Sequence, residues 1–376
     1  MPSISTAVRA AREAARITQY ALSEKAGVAP RALQAFEAGS LGELSTADLA
    51  RIARALELDV DALMAGEAPT PSAAVFFRQH RIADFHSEDE PKLADALERA
   101  RALIAVNGLL GRPGPSRLGL RPQRVAETKA YASGYRLAGR LRSLIGNVDE
   151  PLLELQSMLE ERFDILVLVD ELRSRRVQAV SVRDSTSGAS AVVLNASNEG
   201  FSNPYRQRVD LAHELGHILF DPSTGAIDLV ADTEIELESQ RARPLEQRAK
   251  AFAAELLMPR KGLGRLLGHP RSIEARSDAE EIVRRVRTLY RTPHEIAVHH
   301  LVNARYVGAS LHQDLVKRPF PIDGPQEGVR TTTVLERRVA AALAAGIVSR
   351  MRALELLGLS AWDSVPAAVA RPDVPS

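Results

Sequence analysis

Hydrophobic residues recur at every third or fourth position through most of the chain, which is the spacing of amphipathic helices. Over residues 1–65 this pattern predicts several short helices, with Gly27 and Gly39 between them. It predicts longer helices further along the chain, at about 90–109, 123–145, 149–162, 205–220, 244–258, 276–291, 293–305, 333–346 and 349–357. Most of the protein is therefore predicted to be α-helical.

The pattern changes in the middle of the chain. Residues 163–169 (FDILVLV), 177–182 and 191–195 are short apolar runs that predict the strands of a small β-sheet. Small residues and prolines at 66–75, and glycines and prolines at 111–120, separate the helical segments. We therefore predict an all-α domain at 1–66, a helical linker region at 67–150, an α+β domain at 151–310 and a C-terminal helical tail at 311–376.

The composition limits the kinds of binding site that the protein can form. The 376 residues carry 49 basic and 48 acidic side chains, so the net charge is +1 and any nucleic-acid surface must be a local patch. The chain has no cysteine, which excludes disulfides and leaves His, Asp and Glu to hold any metal. Charges run through the first twenty residues, and no apolar run is long enough for a membrane span. We therefore expect a cytoplasmic protein without membrane contact.

The strongest chemical signal is His213-Glu214-Leu215-Gly216-His217. Residues four apart lie on one face of a helix, so His213 and His217 can bind the same ion. Zinc accepts imidazole nitrogen, and a catalytic zinc keeps one position open for water. Glu214 lies beside the first histidine, where it can act as general base towards that water.

Two histidines can share a helix face by chance. Here the flanking residues, such as Leu211, Ile218 and Phe220, are strongly apolar, and burying polar groups among them is costly unless a partner satisfies them. A metal is such a partner. Three acids could complete the site: Glu246 and Glu255, which lie on opposite faces of the predicted helix 244–258, and Asp221, four residues beyond His217. Spacing alone does not choose among them.

Two stretches, 206-RQRVDLAHELGHILFD-221 and 246-EQRAKAFAAELLMP-259, resemble the ImmA/IrrE family of metallopeptidases. The resemblance implies a zincin-like fold, zinc as the cofactor, and a third ligand six residues before Phe252, which is Glu246. It also implies an intracellular protease whose substrate is a helix-turn-helix repressor. The chain has Asp210 and Lys250 where the family has Thr and Asn, and Asp210 is a candidate partner for a ligating histidine.

Residues 7–63 resemble the XRE-type (Cro/repressor-like) helix-turn-helix family. The residues that carry the resemblance are Ile17, Thr18, Gln19, Leu22, Ala26, Gly27, Val28, Leu33, Phe36, Glu37, Gly39, Leu49, Ile52, Ala53, Leu56 and Leu63. The resemblance makes the helix at about 30–38 the recognition helix, where Arg31 suits guanine or phosphate and Gln34 suits adenine. It places Gln19, at the start of the preceding helix, against the phosphate backbone.

The distribution of charge along the chain gives two opposite indications about DNA binding. Residues 1–65 carry seven basic and eight acidic residues, so this domain has little surplus charge for phosphates, and binding a protein or dimerising is the alternative. Residues 111–146 carry eight basic residues and one acid. This basic stretch is either a solvated helix face or an additional contact to the DNA backbone.

The sequence thus predicts a transcription-regulator-type zinc metalloendopeptidase that cleaves a protein partner, such as a repressor or an antitoxin. Its helix-turn-helix domain would bind operator DNA, as a homodimer if the operator is palindromic. One alternative is a DNA-binding regulator whose peptidase-like domain is a sensor or structural module without turnover. Another is a toxin–antitoxin component.

Overall fold

The computed structural model describes residues 4–14, 17–39, 44–56, 86, 88–114, 118–124, 126–223, 227–233, 243–320 and 328–360. These residues belong to two compact units. One lies mainly within residues 1–98 and also takes in 184–186 and 223–228, and the other comprises the rest of the chain from residue 99. Each unit has a hydrophobic core of its own. The predicted boundary at 66–75, Leu63 and residues 361–376 lie outside the described part of the chain.

The first unit contains four short helices in its described residues: α1 (Ile4–Ala14), α2 (Gln19–Ala26), α3 (Pro30–Glu37) and α4 (Thr46–Ala55). Thr18 caps α2, because its hydroxyl accepts a hydrogen bond from the Ala21 amide at 3.1 Å. Gly27 ends that helix with a left-handed φ of 63°, which glycine adopts without steric cost. Leu22, Leu33 and Ile52 are fully buried between the helices.

Helices also dominate the rest of the described chain, beginning with α5 (Glu90–Leu109), as predicted. The others are α6 (Ala130–Leu144), α7 (Leu155–Arg162), α8 (Pro204–Phe220), α9 (Arg243–Leu257), α10 (Arg260–Leu267), α11 (Arg276–Tyr290), α12 (His294–Asn303), α13 (His312–Val316), α14 (Val334–Ala344) and α15 (Arg350–Leu356). Short 3₁₀ turns occupy Glu127–Lys129, Glu199–Ser202 and Ala309–Leu311.

Two of these helices begin later than the sequence predicts. α6 begins at Ala130 rather than near Gln123, and α7 begins at Leu155 rather than just after Asp149. Before α7, the carbonyls of Leu152 and Leu153 accept hydrogen bonds from the Arg208 guanidinium at 2.8 and 2.6 Å. A contact distant in sequence therefore holds this segment out of the helix.

The described strands form a four-stranded mixed sheet of β1 (Ile165–Asp170), β2 (Val177–Asp184), β3 (Ser190–Asn195) and β4 (Ile227–Thr233), in the order β1-β3-β2-β4. β1 is parallel to β3, with Ile165 opposite Ser190, and β2 is antiparallel to β3, with Val180 opposite Val193. β1 to β3 agree with the predicted strands. β4 was not predicted, because a short isolated run gives only a weak signal.

α8 lies at the centre of the second unit, packed against α7, α9 and the sheet. Its contact with α9 is close at Gly216, where a Cβ would meet the Phe252 ring at 3.0 Å. α6 packs against the other side of α9 at Gly134, where a Cβ would lie 2.7 Å from the Ala251 Cβ. α6 therefore packs in one compact unit with α8 and α9, although the proposed domain limits at 150 and 310 stay predictions.

Candidate metal centre

Side-chain hydrogen bonds fix both ends of α8. The Asn203 side chain accepts hydrogen bonds from the amides of Tyr205 and Arg206, and Pro204 occupies the first turn. At the other end, the Arg183 guanidinium on β2 donates to the carbonyls of Ile218 and Asp221 at 2.9 and 3.2 Å. The helix between these ends is buried, so its polar side chains need partners inside the protein.

Two of those polar groups converge with an acidic residue of α9. His213 and His217 are each 2% exposed, and their Nε2 atoms lie 2.9 Å apart. Glu246, in the first turn of α9, places Oε2 3.2 Å from His213 Nε2 and Oε1 3.3 Å from His217 Nε2. The structure thus brings together the two histidines of α8 and the first glutamate of α9.

The donor set fits a zinc ion. Zinc bonds of about 2.0–2.1 Å in a tetrahedron separate the ligand atoms by about 3.3 Å, close to the separations here. Two imidazoles and one carboxylate make three protein ligands, the usual number at a catalytic zinc. Among the described residues, these three form the one cluster of metal-ligating side chains with that proximity. Glu214, completely buried, follows His213 on α8.

Asp221 supports this cluster without joining it. Its carboxylate lies 2.7 Å from His217 Nδ1 and is bonded on its other side by the buried Arg248. Burial opposes the charged form of His217, but hydrogen bonds with Asp221 and Glu246 raise its pKa well above the usual value. Burial likewise opposes charge on Asp221, whose contact with His217 nevertheless lowers the pKa of the carboxyl. An Nδ1 held this way leaves Nε2 directed at the cluster.

Arg248 is not among the site residues that the sequence predicts. It is nearly fully buried on α9, and besides Asp221 it donates to the Gln123 carbonyl at 2.6 Å. A basic residue in a helix rich in alanine is a signal that could have found it, because a buried charge requires a partner. Arg248 connects α9, the end of α8 and the segment before α6.

Comparison with protein families agrees with this geometry. A family model described as an IrrE N-terminal-like domain matches residues 160–302, and a helix-turn-helix model matches residues 8–63. The chain joins an XRE-type helix-turn-helix domain to an ImmA/IrrE-type metallopeptidase domain. No curated protein matches the chain. None of the described helices combines the length and hydropathy needed to cross a membrane.

Within the ImmA/IrrE-type domain, Glu255 has a different environment from Glu246. Its carboxylate is bonded to the amide and guanidinium of Arg260 at 3.1 Å, and burial raises its pKa. His300 on α12 is also buried: it contacts the Met258 carbonyl at 2.8 Å and packs against Tyr135. Burial lowers the pKa of His300 to about 4.

Asp210 accepts a hydrogen bond from Arg206 at 3.1 Å, one turn before the metal-binding motif. Arg206 also contacts Gln178 on β2 and Glu295 on α12. Residues 206, 210, 213 and 217 share one face of α8 by their spacing. These polar contacts therefore lie on the same face of α8 as the candidate metal centre.

In the helix-turn-helix domain, α3 exposes Arg31 and Gln34, in the positions predicted for reading bases. Gln19 begins α2, and its amide donates to the Glu37 carboxylate at 2.7 Å. Glu37 is also paired with Arg12, at 2.7 and 2.8 Å. The side chain of Gln19 thus has a partner inside the domain, and a role at the DNA backbone stays a prediction.

The basic stretch 111–146 divides between surface and interior. Arg112, Arg121, Arg124, Lys129, Arg136 and Arg140 are exposed, whereas Arg117 lies outside the described residues. Arg142 is completely buried and donates to the carbonyl of Leu256 at 2.7 Å and to the side chain of Asn147 at 2.9 Å. Burial lowers the pKa of Arg142 to about 10. Arg142 therefore stabilises the packing around α9 and is not part of a solvated helix face.

Proposed function

We propose that the ImmA/IrrE-type domain is a zinc metalloendopeptidase that hydrolyses a peptide bond in a protein partner. The observation that carries this proposal is the convergence of His213, His217 and Glu246 beside the buried Glu214. A site with only a structural duty has no need for an acid next to the first histidine. In this assignment the first three residues hold the metal and Glu214 is the general base.

Bound zinc would polarise the scissile carbonyl and the attacking water. The Glu214 carboxylate would accept a proton from that water and transfer it to the leaving nitrogen. Asp221 would keep the proton of His217 on Nδ1, so that Nε2 keeps its lone pair. Arg248 would hold Asp221 in place through their ion pair.

The proposed substrate is a helix-turn-helix repressor or an antitoxin. Its support is the resemblance to the ImmA/IrrE family, together with the XRE-type domain carried by the same chain. The proposal includes binding of operator DNA by that domain, with Arg31 and Gln34 contacting bases and Gln19 the backbone. A homodimer would match a palindromic operator.

The decisive experiment compares the wild type with Glu214→Gln. We expect about one zinc per chain in both, because Glu214 is not a ligand, and a loss of cleavage of about 10²–10⁴-fold in the variant. Metal content is measured by mass spectrometry. Cleavage is measured with candidate helix-turn-helix proteins as substrates. Glu199→Gln, at an exposed glutamate, is the matched control.

The two readouts separate the candidate functions. If both proteins contain zinc, neither cleaves and the wild type still shifts DNA, the chain is a regulator whose peptidase-like domain does not turn over. The exposed Arg31 and Gln34 support the DNA binding that this second function requires. If neither protein contains metal, the proposal is wrong. Cleavage of an antitoxin, but not of repressors, would place the protein in a toxin–antitoxin system.

A further inference from the structure

A second polar site lies on the side of α8 that faces away from the metal centre. It is a cavity of about 450 Å³ between the first turn of α7, α8, the end of α11 and residues 328–333. Tyr205, Arg208 and Leu211 line it from α8. At about 100° per residue, Arg208 is rotated by about 140° from His213 and 180° from His217. The cavity is therefore separate from the candidate metal centre.

Arg208 is the buried charge of this cavity. Its side chain is only 8% exposed, and its guanidinium donates to the carbonyls of Leu153 and Leu152. Its Nε has no acceptor, and it forms no ion pair with any described residue. Burial, followed by the nearby charge of Arg291, lowers the pKa of Arg208 to about 10. A buried guanidinium without an ion pair is costly unless an anion reaches it.

Arg291 adds a second cation at the same place. It ends α11 with a left-handed φ of 50°, a conformation that residues other than glycine rarely adopt. Its side chain is half-buried and has no hydrogen bond or ion pair to the described part of the chain. Two like charges thus face one cavity, and Arg330 lines it as a third.

Two carboxylates also line the cavity, and the charge of Glu154 opposes the lowering of the Arg208 pKa. Glu160 is bonded to Gln156 at 2.6 Å, and Glu154 is exposed. In the described structure neither forms an ion pair with Arg208, Arg291 or Arg330. The first turn of α7 has no side-chain cap and lines the cavity, and Ser157 and Thr333 lie in its wall.

We propose that this cavity binds the phosphate group of a small metabolite. Guanidinium groups bind phosphate oxygens through paired charge-assisted hydrogen bonds, and a dianion matches two adjacent arginines better than a monoanion does. Leu153 and Leu211 give the remainder of the ligand an apolar wall. Because Arg208 belongs to α8, the ligand would contact the helix that carries both metal-binding histidines. The proposal does not depend on peptidase activity.

The test is isothermal titration calorimetry of the full chain, with inorganic phosphate, ribose 5-phosphate and acetate as separate probes. We expect saturable binding of at least one phosphate probe at or below about 10 mM, and at least about tenfold weaker binding of acetate. Binding of the ester alone identifies a metabolite, and equal binding of inorganic phosphate identifies free phosphate as a ligand. Arg291→Gln should weaken binding by about tenfold or more.

Arg285→Gln is the matched control, because Arg285 is exposed on the same helix and does not line the cavity. It should bind phosphate within about twofold of the wild type. Equal affinities of the two variants, or phosphate binding that disappears in His213→Ala but not in Arg291→Gln, would overturn the proposal. The proposal would also be overturned if the wild type did not bind phosphate but the double variant Asp323→Asn, Glu327→Gln did. These two acids precede Gly328 in the sequence.

Discussion

Asp221 shows how one residue can determine the quality of a metal site without being a ligand. It ends α8, contacts His217 Nδ1 at 2.7 Å and pairs with the buried Arg248. A carboxylate behind a ligating imidazole fixes the ring orientation and increases the basicity of the nitrogen that binds the metal. Asp221 therefore couples the end of one helix to a charge on the next.

Replacing Asp221 tests this role. We expect Asp221→Asn to lower zinc affinity by about 10–100-fold, because the carboxamide is a weaker acceptor and leaves Arg248 without its counter-charge. Competition with a chromophoric chelator measures the change. Asp278→Asn, at an exposed aspartate on α11, should keep the wild-type affinity. Unchanged affinity in Asp221→Asn would show that His217 is oriented by other contacts.

Residue spacing predicted part of this arrangement. The four-residue interval between His213 and His217 follows from helix geometry, and the family resemblance singled out Glu246 from three acids. Spacing left Asp221 open as a ligand because its partners lie in different elements. Arg248 was not predicted, since its role depends on how α9 packs against the end of α8.

At the scale of elements, the close packing of α6 on α9 positions Glu246. Gly134 allows this approach, because a Cβ there would lie 2.7 Å from the Ala251 Cβ and 2.8 Å from the Phe252 amide nitrogen. Both atoms belong to a buried helix with little freedom to move. The position of α9 relative to α8 thus depends on a glycine that lies far from the motif in sequence.

We expect Gly134→Ala to destabilise the domain by about 1–3 kcal/mol, because the added methyl group overpacks the contact. Zinc affinity should fall with it, since α9 carries Glu246. Gly139→Ala on the same helix is the control: a Cβ there meets nothing within 4 Å, and alanine favours the helix by about 0.5–1 kcal/mol. Thermal unfolding and chelator competition measure both effects. If the Gly134→Ala and Gly139→Ala variants were equally stable, α6 and α9 could move apart without a loss of stability.

Periodicity predicted most helices but not all elements. α10 was missed because Gly262 and Gly264 suggest a loop, whereas the structure uses Gly262 for close approach to the Asp149 carbonyl and the Tyr290 hydroxyl. The starts of α6 and α7 were misplaced because contacts between distant segments, rather than local preference, fix them. The boundaries that failed are those that depend on tertiary structure.

At the scale of the whole molecule, the near-zero net charge limits how the protein can meet DNA. Residues 1–65 have one more acid than base, so non-specific attraction to phosphates is weak. Base contacts by Arg31 and Gln34 would then carry a large share of any operator preference.

Replacing both Arg31 and Gln34 by Ala should weaken operator binding by about 2–6 kcal/mol, at about 1–3 kcal/mol for each base contact. Binding to unrelated DNA should change much less. Fluorescence anisotropy at several salt concentrations measures both affinities. Lys25→Gln, at an exposed lysine on α2, is the control for loss of charge alone. Equal losses on specific and unrelated DNA would argue against base reading by α3.

The order of the two family domains was predictable from their motifs, because each has a compact signature. The placement of the C-terminal segment was not. Residues 328–333 have little periodicity, yet the Thr332 amide donates to the Val167 carbonyl at 2.8 Å, and the Thr331 hydroxyl accepts from the Val169 amide at 3.0 Å. α14 then pairs Glu336 with Arg99 at 2.9 Å.

Among the described strands, β1 lies at one edge of the sheet, and its backbone groups at Val167 and Val169 form hydrogen bonds with these threonines. An uncovered edge strand offers its amides and carbonyls to strands of other molecules, which is a common route to aggregation. The C-terminal segment thus covers part of this sheet edge. A chain truncated before residue 328 would expose the unpaired backbone groups of this edge strand, and we expect it to aggregate. A loss of activity in such a variant would then reflect lower solubility and not the loss of a functional residue.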